Sequence, residues 1–272
     1  MHARPSITST SNARLKELRR LAARPGRARG SVLVEGWRLL AGALDGDAGV
    51  ESVYVAPELW LGRGEDRLVE SAAARGASVT VVGAAAFAAV SSQSRPDGVL
   101  AVVARPSTSL QALQLDASPL VVVCEAIERP GNLGTIVRAA SAAGASALVA
   151  CDPQTDLFQP RTVSASVGSV FRLPLAIATV GETIAWLRAA DLAVVVATPD
   201  GPVAPWVADL ARPTAVVLGS EKRGVSRPWL DAADIRLGIP MPGGGADSLN
   251  VAVAAGVVLF EAARQRLAVA TM

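Results

Sequence analysis

The feature that most constrains the fold is a set of short apolar runs in the second half of the chain. Residues 119–127 (PLVVVCEAI), 147–151 (ALVAC), 192–198 (LAVVVAT) and 214–219 (TAVVLG) are almost continuous in Val, Leu, Ile and Ala. A strand with one wet face alternates polar and apolar side chains; an unbroken apolar run means burial on both faces. Strand-like segments at 171–177 and 234–240 add to the set. Helical stretches fall between, from about 133, near 160–168, from Glu182, near 226–232, and a long one from about 247 to 266. Strands alternating with helices predict an α/β fold with a mostly parallel sheet covered on both faces.

The first half reads as a smaller α/β unit. Ser11 or Asn12 can cap a helix through Leu15, Leu18 and Leu21, with Pro25-Gly26 as its stop. Strands at 31–35, 51–56, 77–82 and 98–103 alternate with helices at 36–44, 65–75 and 84–90. Residues 105–116 hold turn formers and no clear period. We therefore expect a first domain over 1–105, a linker over 106–116 and a second domain over 117–272.

Composition removes several chemistries. The single histidine, His2, sits at the N-terminus, so a Ser-His-Asp triad, a Cys-His pair and a histidine-bound metal are not expected. Cys124 and Cys151 alone make neither a disulfide framework nor a zinc site, and they suit a reducing compartment. No signal peptide or membrane span is evident, so the expected location is the cytoplasm. A net charge of +2 hides an uneven distribution: residues 1–40 hold nine basic side chains against two acidic ones. Arg14, Lys16, Arg19 and Arg20 recur at helical spacing around Leu15 and Leu18 and are expected to contact a polyanion.

Three segments break the apolar rhythm at strand C-termini, where open α/β sheets place ligands. In ERPGNLGTIVRAASAAG (128–144) a strand gives way to a helix that Asn132 can cap and that carries Arg138; the helix start suits a phosphate. In LGSEKRGVS (218–226) a strand runs into Gly219, a residue that permits close approach of a ligand, with Glu221 beside Lys222 and Arg223. In the stretch 239–266 a run of glycines precedes Asp247, Ser248 and Asn250. Asp247 or Ser248 can cap a last helix that is apolar on most faces through Val251, Val253, Val257, Val258, Leu259 and Phe260. Such a helix is either core or interface. No GxGxxG fingerprint or P-loop occurs, which disfavours a standard nucleotide-binding enzyme.

In this order and spacing the three segments resemble the signature motifs of the SpoU–TrmH family of RNA ribose 2′-O-methyltransferases. Asn132, Gly134 and Arg138 resemble the first motif; Leu218, Gly219, Glu221 and Gly224 the second; Ile239, Pro240, Met241, Ser248, Leu249, Asn250 and Val251 the third. The likeness covers roughly 119–266. SITSTSNARLKELRRL followed by VLVEGWRLL resembles the family's N-terminal RNA-binding domain. The glycine-rich MPGGGADSLN departs from relatives and reads as a loop difference.

The resemblance implies a trefoil-knotted methyltransferase domain behind a smaller RNA-binding domain, S-adenosylmethionine as cofactor, no metal, and a homodimer. It implies cofactor binding by Leu218, Gly219, Ile239, Met241, Ser248 and Leu249. It makes Arg138 the essential catalytic residue, with Asn132, Glu221, Ser248 and Asn250 positioning it or the ribose. A guanidinium loses its proton only above a pH of about 12, so Arg138 acts either as the family's proposed base or as an electrostatic stabiliser of a developing alkoxide. The expected substrate is large-subunit ribosomal RNA, and some relatives confer resistance to ribosome-targeting antibiotics. A tRNA substrate, or a non-catalytic RNA-binding assembly factor, is the alternative.

Overall fold

The computed structural model describes residues 6–23, 30–243 and 247–270. They form two compact units. One comprises the chain up to Pro106 together with Phe158–Arg172; the other comprises Ser107–Leu157 and the chain from Leu173 onward.

The first unit contains α1 (Ala13–Ala23), β1 (Ser31–Glu35), α2 (Trp37–Asp45), β2 (Val50–Val55), α3 (Glu65–Ala74), β3 (Ser78–Val81), α4 (Ala84–Ala88) and β4 (Val99–Ala104). Its sheet has the order β1-β4-β2-β3; β4 runs antiparallel to both neighbours, and β2 and β3 are parallel. Asn12 is the cap of α1, its Oδ1 accepting the Arg14 N–H at 2.9 Å. Leu15 and Leu18 drop into a core with Val82, Phe87 and Leu100. The Pro25-Gly26 stop lies outside the described residues.

The second unit contains β5 (Leu120–Glu125), α5 (Pro130–Ala142) and β6 (Ala147–Cys151). The chain then returns to the first unit with α6 (Pro160–Ser166) and a 3-10 turn, Ser169–Phe171. There the Arg105 guanidinium stands 4.7 Å from the Phe158 ring centroid. A contiguous second domain over 117–272 does not describe this path, because 158–172 packs with the earlier residues. The second unit resumes with β7 (Leu175–Ala178), α7 (Val180–Ala189), β8 (Ala193–Ala197), β9 (Thr214–Leu218), α8 (Arg227–Ala232), β10 (Ile235–Leu237) and α9 (Val251–Ala270). The segment read as a linker over 106–116 also packs here: Leu110 is buried, and Leu113 and Leu115 rest on the same core.

The six strands follow the order β10-β8-β9-β5-β6-β7, and every neighbouring pair is parallel. Strands β5, β6 and β9 are buried at every residue, as their apolar runs require. Val121, Val149, Val194 and Val217 pack with Trp229 of α8, while α5 packs against α9. All strand C-termini share one edge. From β5 the chain moves outward through β6 and β7, and β9 returns to the other side of β5. That reversal makes a crevice beside β5 and β9.

Helix ends differ from the sequence expectation in instructive ways. Helix α5 begins at Pro130, a first-turn position that suits proline, so Asn132 lies inside the first turn and its side chain is free for other work. Helix α7 starts at Val180, before Glu182, because Thr179 and Glu182 form a reciprocal capping box. Helix α9 starts at Val251, and its cap is Asn250, whose Oδ1 accepts the Ala252 N–H at 2.9 Å, in place of Asp247 or Ser248. Part of the strand expected over 171–177 is a turn, and β7 begins after Pro174.

Candidate active site

A cavity of about 580 Å³ opens where β8, β9 and β10 end and α9 begins. Leu218, Gly219, Ile239, Met241, Ser248 and Leu249 all line it, together with Glu221 and Asn250. Its size suits a nucleoside-sized ligand.

The walls are main chain held at close quarters. Past β9, Ser220 and Gly224 exchange two backbone hydrogen bonds, at 3.0 and 2.9 Å, closing a tight turn. A Cβ on Gly219 would lie 2.2 Å from the carbonyl carbon of Gly224, and Gly224 itself has a φ of +65°. Gly219 is thus required first by the approach of the chain to itself, a different reason from the ligand approach expected from sequence. The ends of β8 and β10 meet the same way: a Cβ on Gly238 would sit 2.2 Å from the Gly201 carbonyl oxygen.

Among the described residues no hydrogen bond takes up the backbone groups of Ile239, Met241, Ser248 or Leu249. The Thr198 hydroxyl, on another lining residue, is buried with no partner among the described residues. Free polar backbone beside Leu218, Ile239, Met241 and Leu249 is the donor set an adenosyl group needs: an apolar slot with amide and carbonyl groups at its edge. The residues present therefore fit S-adenosylmethionine.

Three predicted site residues form one hydrogen-bonded chain. The Asn132 side-chain amide donates to Glu221 Oε1 at 2.5 Å, and the Asn250 amide donates to Asn132 Oδ1 at 3.2 Å. The Glu128 N–H reaches Glu221 Oε2 at 3.3 Å. Each residue comes from a different motif, so the chain ties the start of α5, the turn after β9 and the start of α9 together. Burial pushes the Glu221 carboxyl up, but the Asn132 amide, backbone N–H groups and the Arg129 charge outweigh it and hold the group below the usual carboxylate range. Glu221 is an anion near neutral pH and an acceptor for its partners.

The structure does not bring Arg138 into this network. It lies six residues beyond Asn132 and is exposed on α5, whereas Leu133, Ile136 and Val137 are buried, and it does not line the cavity. Among the described residues its side chain has no hydrogen bond or ion pair. Ser248 is exposed at the cavity wall. The thiols are not reactive groups: Cys124 and Cys151 are buried, and burial pushes Cys151 up to about 12.

The four basic residues predicted to bind RNA are all exposed on α1. Two are already engaged: Arg19 donates from Nε and Nη2 to the Ala89 carbonyl at 3.2 and 2.9 Å, and Arg20 pairs with Glu17 at 3.5 Å. Sequence reasoning gave no ligand role to Arg129, Thr198, Lys222 or Arg223, all of which line the cavity. The same strand-end rule finds Thr198, since 192–198 runs into Thr-Pro-Asp-Gly.

Residues 119–260 match the SpoU rRNA methylase family, and residues 12–101 match the MRM3-like substrate binding domain. A 23S rRNA (uridine-2′-O)-methyltransferase of Streptomyces viridochromogenes is 36% identical over 178 residues, which is 63% of this chain and 62% of that protein. An uncharacterized tRNA/rRNA methyltransferase of Synechocystis is 33% identical over 98% of this chain and 96% of its own length. The crystal structure of an AdoMet-bound rRNA methyltransferase from Sinorhizobium meliloti superposes with a TM-score of 0.84 at 32% identity, covering 95% of this chain and 97% of that one. Over half its length by family match, and over nearly all of it by relatives, the chain belongs to the SpoU rRNA methylase family.

Proposed function

We propose that this protein transfers a methyl group from S-adenosylmethionine to a ribose 2′-hydroxyl of ribosomal RNA. Family membership makes it a methyltransferase and S-adenosylmethionine its methyl donor. The carrying observation is that the second and third motifs line one cavity and that the Asn250–Asn132–Glu221 hydrogen bonds tie the first motif to them. The donor supplies an electrophilic methyl on a sulfonium, whose leaving group is neutral. The chain must then align the ribose oxygen and remove one proton. Leu218, Ile239, Met241 and Leu249 form the apolar wall, and the free backbone groups of Ile239, Met241, Ser248 and Leu249 orient the bound nucleoside. Glu221, held ionised, fixes the Asn132 amide, and Asn132 in turn fixes Asn250. These three are positioning residues. Arg138 is the cation that assists at the hydroxyl, as base or as electrostatic stabiliser of the oxyanion.

The protein acts as a homodimer, with the second unit threaded as the family's trefoil knot. Val253, Val257 and Phe260 of α9 are exposed at a spacing that puts them on one helix face, while Val251, Val258 and Leu259 are buried. A two-fold partner covers that stripe. Among the described residues no helix is long and apolar enough to cross a membrane, and we place the protein with its RNA in the cytoplasm.

The test incubates the protein with methyl-labelled donor and large-subunit ribosomal RNA, then digests the RNA and maps the label by mass. The expected product is a 2′-O-methylated nucleotide at one position. Label on a base, or none under conditions where the donor binds, overturns the reading. Sedimentation at low micromolar concentration should give a dimer, and Phe260→Glu should shift it to a monomer; a wild-type species of about 28 kDa alone would contradict the assembly.

A further inference from the structure

The mouth of the cavity carries three basic side chains that the family motifs as read in the sequence leave without a role. Arg129 stands on the loop after β5, and Lys222 and Arg223 stand on the turn after β9; all three line the cavity and are exposed. The turn is rigid. Its two backbone hydrogen bonds, the Arg223 N–H donating to Ser220 Oγ at 3.1 Å, and the close approach of Gly219 to Gly224 leave it little freedom. Lys222 pairs with Glu128 at 3.1 Å, but its side chain is 77% exposed, so water weakens the pair. Among the described residues, the guanidinium groups of Arg129 and Arg223 have no hydrogen bond or ion pair. The nearby carboxylate of Glu221 is already committed to Asn132.

We propose that Arg129, Lys222 and Arg223 form a phosphate-binding rim that seats the RNA backbone on either side of the target ribose. The proposal rests on the RNA substrate read above and adds which residues of the catalytic unit grip it. A ribose presented to the cavity carries a phosphate on each side, and both must sit near the mouth. Exposed cations on two separate loops, one of them braced, meet that need. Phosphate contacts of this kind carry no base information: they fix register and contribute salt-sensitive affinity. The rim therefore acts on substrate capture, and the Glu221–Asn132–Asn250 chain and Arg138 act on chemistry.

The test compares wild type with the triple variant R129A/K222A/R223A, and with R129A and R223A singly should the triple fail to fold. Measured are RNA affinity against salt concentration, KM and kcat for RNA, and donor affinity by calorimetry. The triple variant should flatten the slope of log affinity against log salt by about 2 units and raise KM for RNA by at least ~tenfold. The rate at saturating RNA should fall far less, and donor affinity should stay within ~twofold. Arg129→Lys and Arg223→Lys, which keep the charge, should recover most of the slope. An unchanged slope overturns the rim. Weakened donor binding with an unchanged slope overturns it as well and assigns these cations to the donor's carboxylate. Wild-type protein that binds no RNA and transfers no methyl group overturns the functional reading itself, a separate result.

Discussion

The cavity at the strand ends of the second unit and the basic helix α1 of the first were both expected to hold ligands, yet they are built in opposite ways. The cavity is made of main chain: glycines in contact with backbone, a two-bond turn, and free amide and carbonyl groups at its edge. Helix α1 offers only exposed side chains, and its chain partly occupies them, Arg19 on the Ala89 carbonyl and Arg20 on Glu17. A site of braced backbone tolerates little substitution and binds one shape. A site of exposed cations binds charge and loses affinity gradually. The first kind suits a donor molecule used at every turnover, the second a long polyanion.

That contrast ranks the expected effects. Arg138→Ala should lower the single-turnover methylation rate by ~10²-fold or more while leaving donor affinity nearly unchanged, because Arg138 lies outside the cavity. Arg138→Lys keeps the charge, loses the planar fork, and should recover little. A rate for Arg138→Ala within about threefold of wild type at saturating RNA and donor removes Arg138 from the chemistry.

Gly219→Val comes next. Its branched side chain must displace the Gly224 backbone, so the turn that forms the cavity wall opens. Donor affinity should fall at least tenfold, about 1.4 kcal/mol, with a lower Tm as well. Unchanged affinity in a folded variant places the donor away from this turn.

Glu221→Gln probes the network through pH. Because the folded protein holds this carboxyl below its ordinary value, its stabilising contribution is present above the unfolded value of about 4.3 and is lost as pH falls through the folded value. Wild type should therefore melt higher than Glu221→Gln near neutrality, and the two should converge in acid. A Tm difference that stays constant down to pH ~3 contradicts a role for the ionised carboxylate.

The smallest effect belongs to α1. Arg14 and Lys16 have no side-chain partner among the described residues, whereas Arg19 and Arg20 do. Replacing Arg14 and Lys16 with alanine should flatten the salt dependence of RNA binding by about 1–2 units, and more than the Arg19/Arg20 double variant does. An unchanged slope in both makes α1 a solvated face. Cofactor affinity should be untouched in either.

The same contrast explains what the sequence made readable. Buried strands announce themselves as apolar runs, and in a parallel sheet their C-termini must share an edge. That pattern puts the three polar segments at strand ends, and it is the resemblance to the SpoU–TrmH family that points to Leu218, Gly219, Ile239 and Met241 as cofactor residues. The roles of Asn132 and Asn250 were less readable, because an asparagine near a helix start can cap the backbone or reach a tertiary partner. Asn132 proved to bond Glu221, and Asn250 both caps α9 and bonds Asn132. The placement of 158–172 with the first unit left no local mark either, since a short helix looks the same whichever unit it covers. Nor does any strand pattern say that Gly219 is needed for contact with Gly224.

The central claim, that the braced backbone cavity is where the methyl donor binds, is tested most directly by a crystal structure of this protein grown with saturating S-adenosylmethionine. The expected result is the nucleoside seated against Leu218, Ile239, Met241 and Leu249, its polar edge bonded to the backbone groups of Ile239, Met241, Ser248 and Leu249, with Asn132, Glu221 and Asn250 still linked. Donor bound elsewhere on the chain, or a cavity left empty at that concentration, would contradict the account.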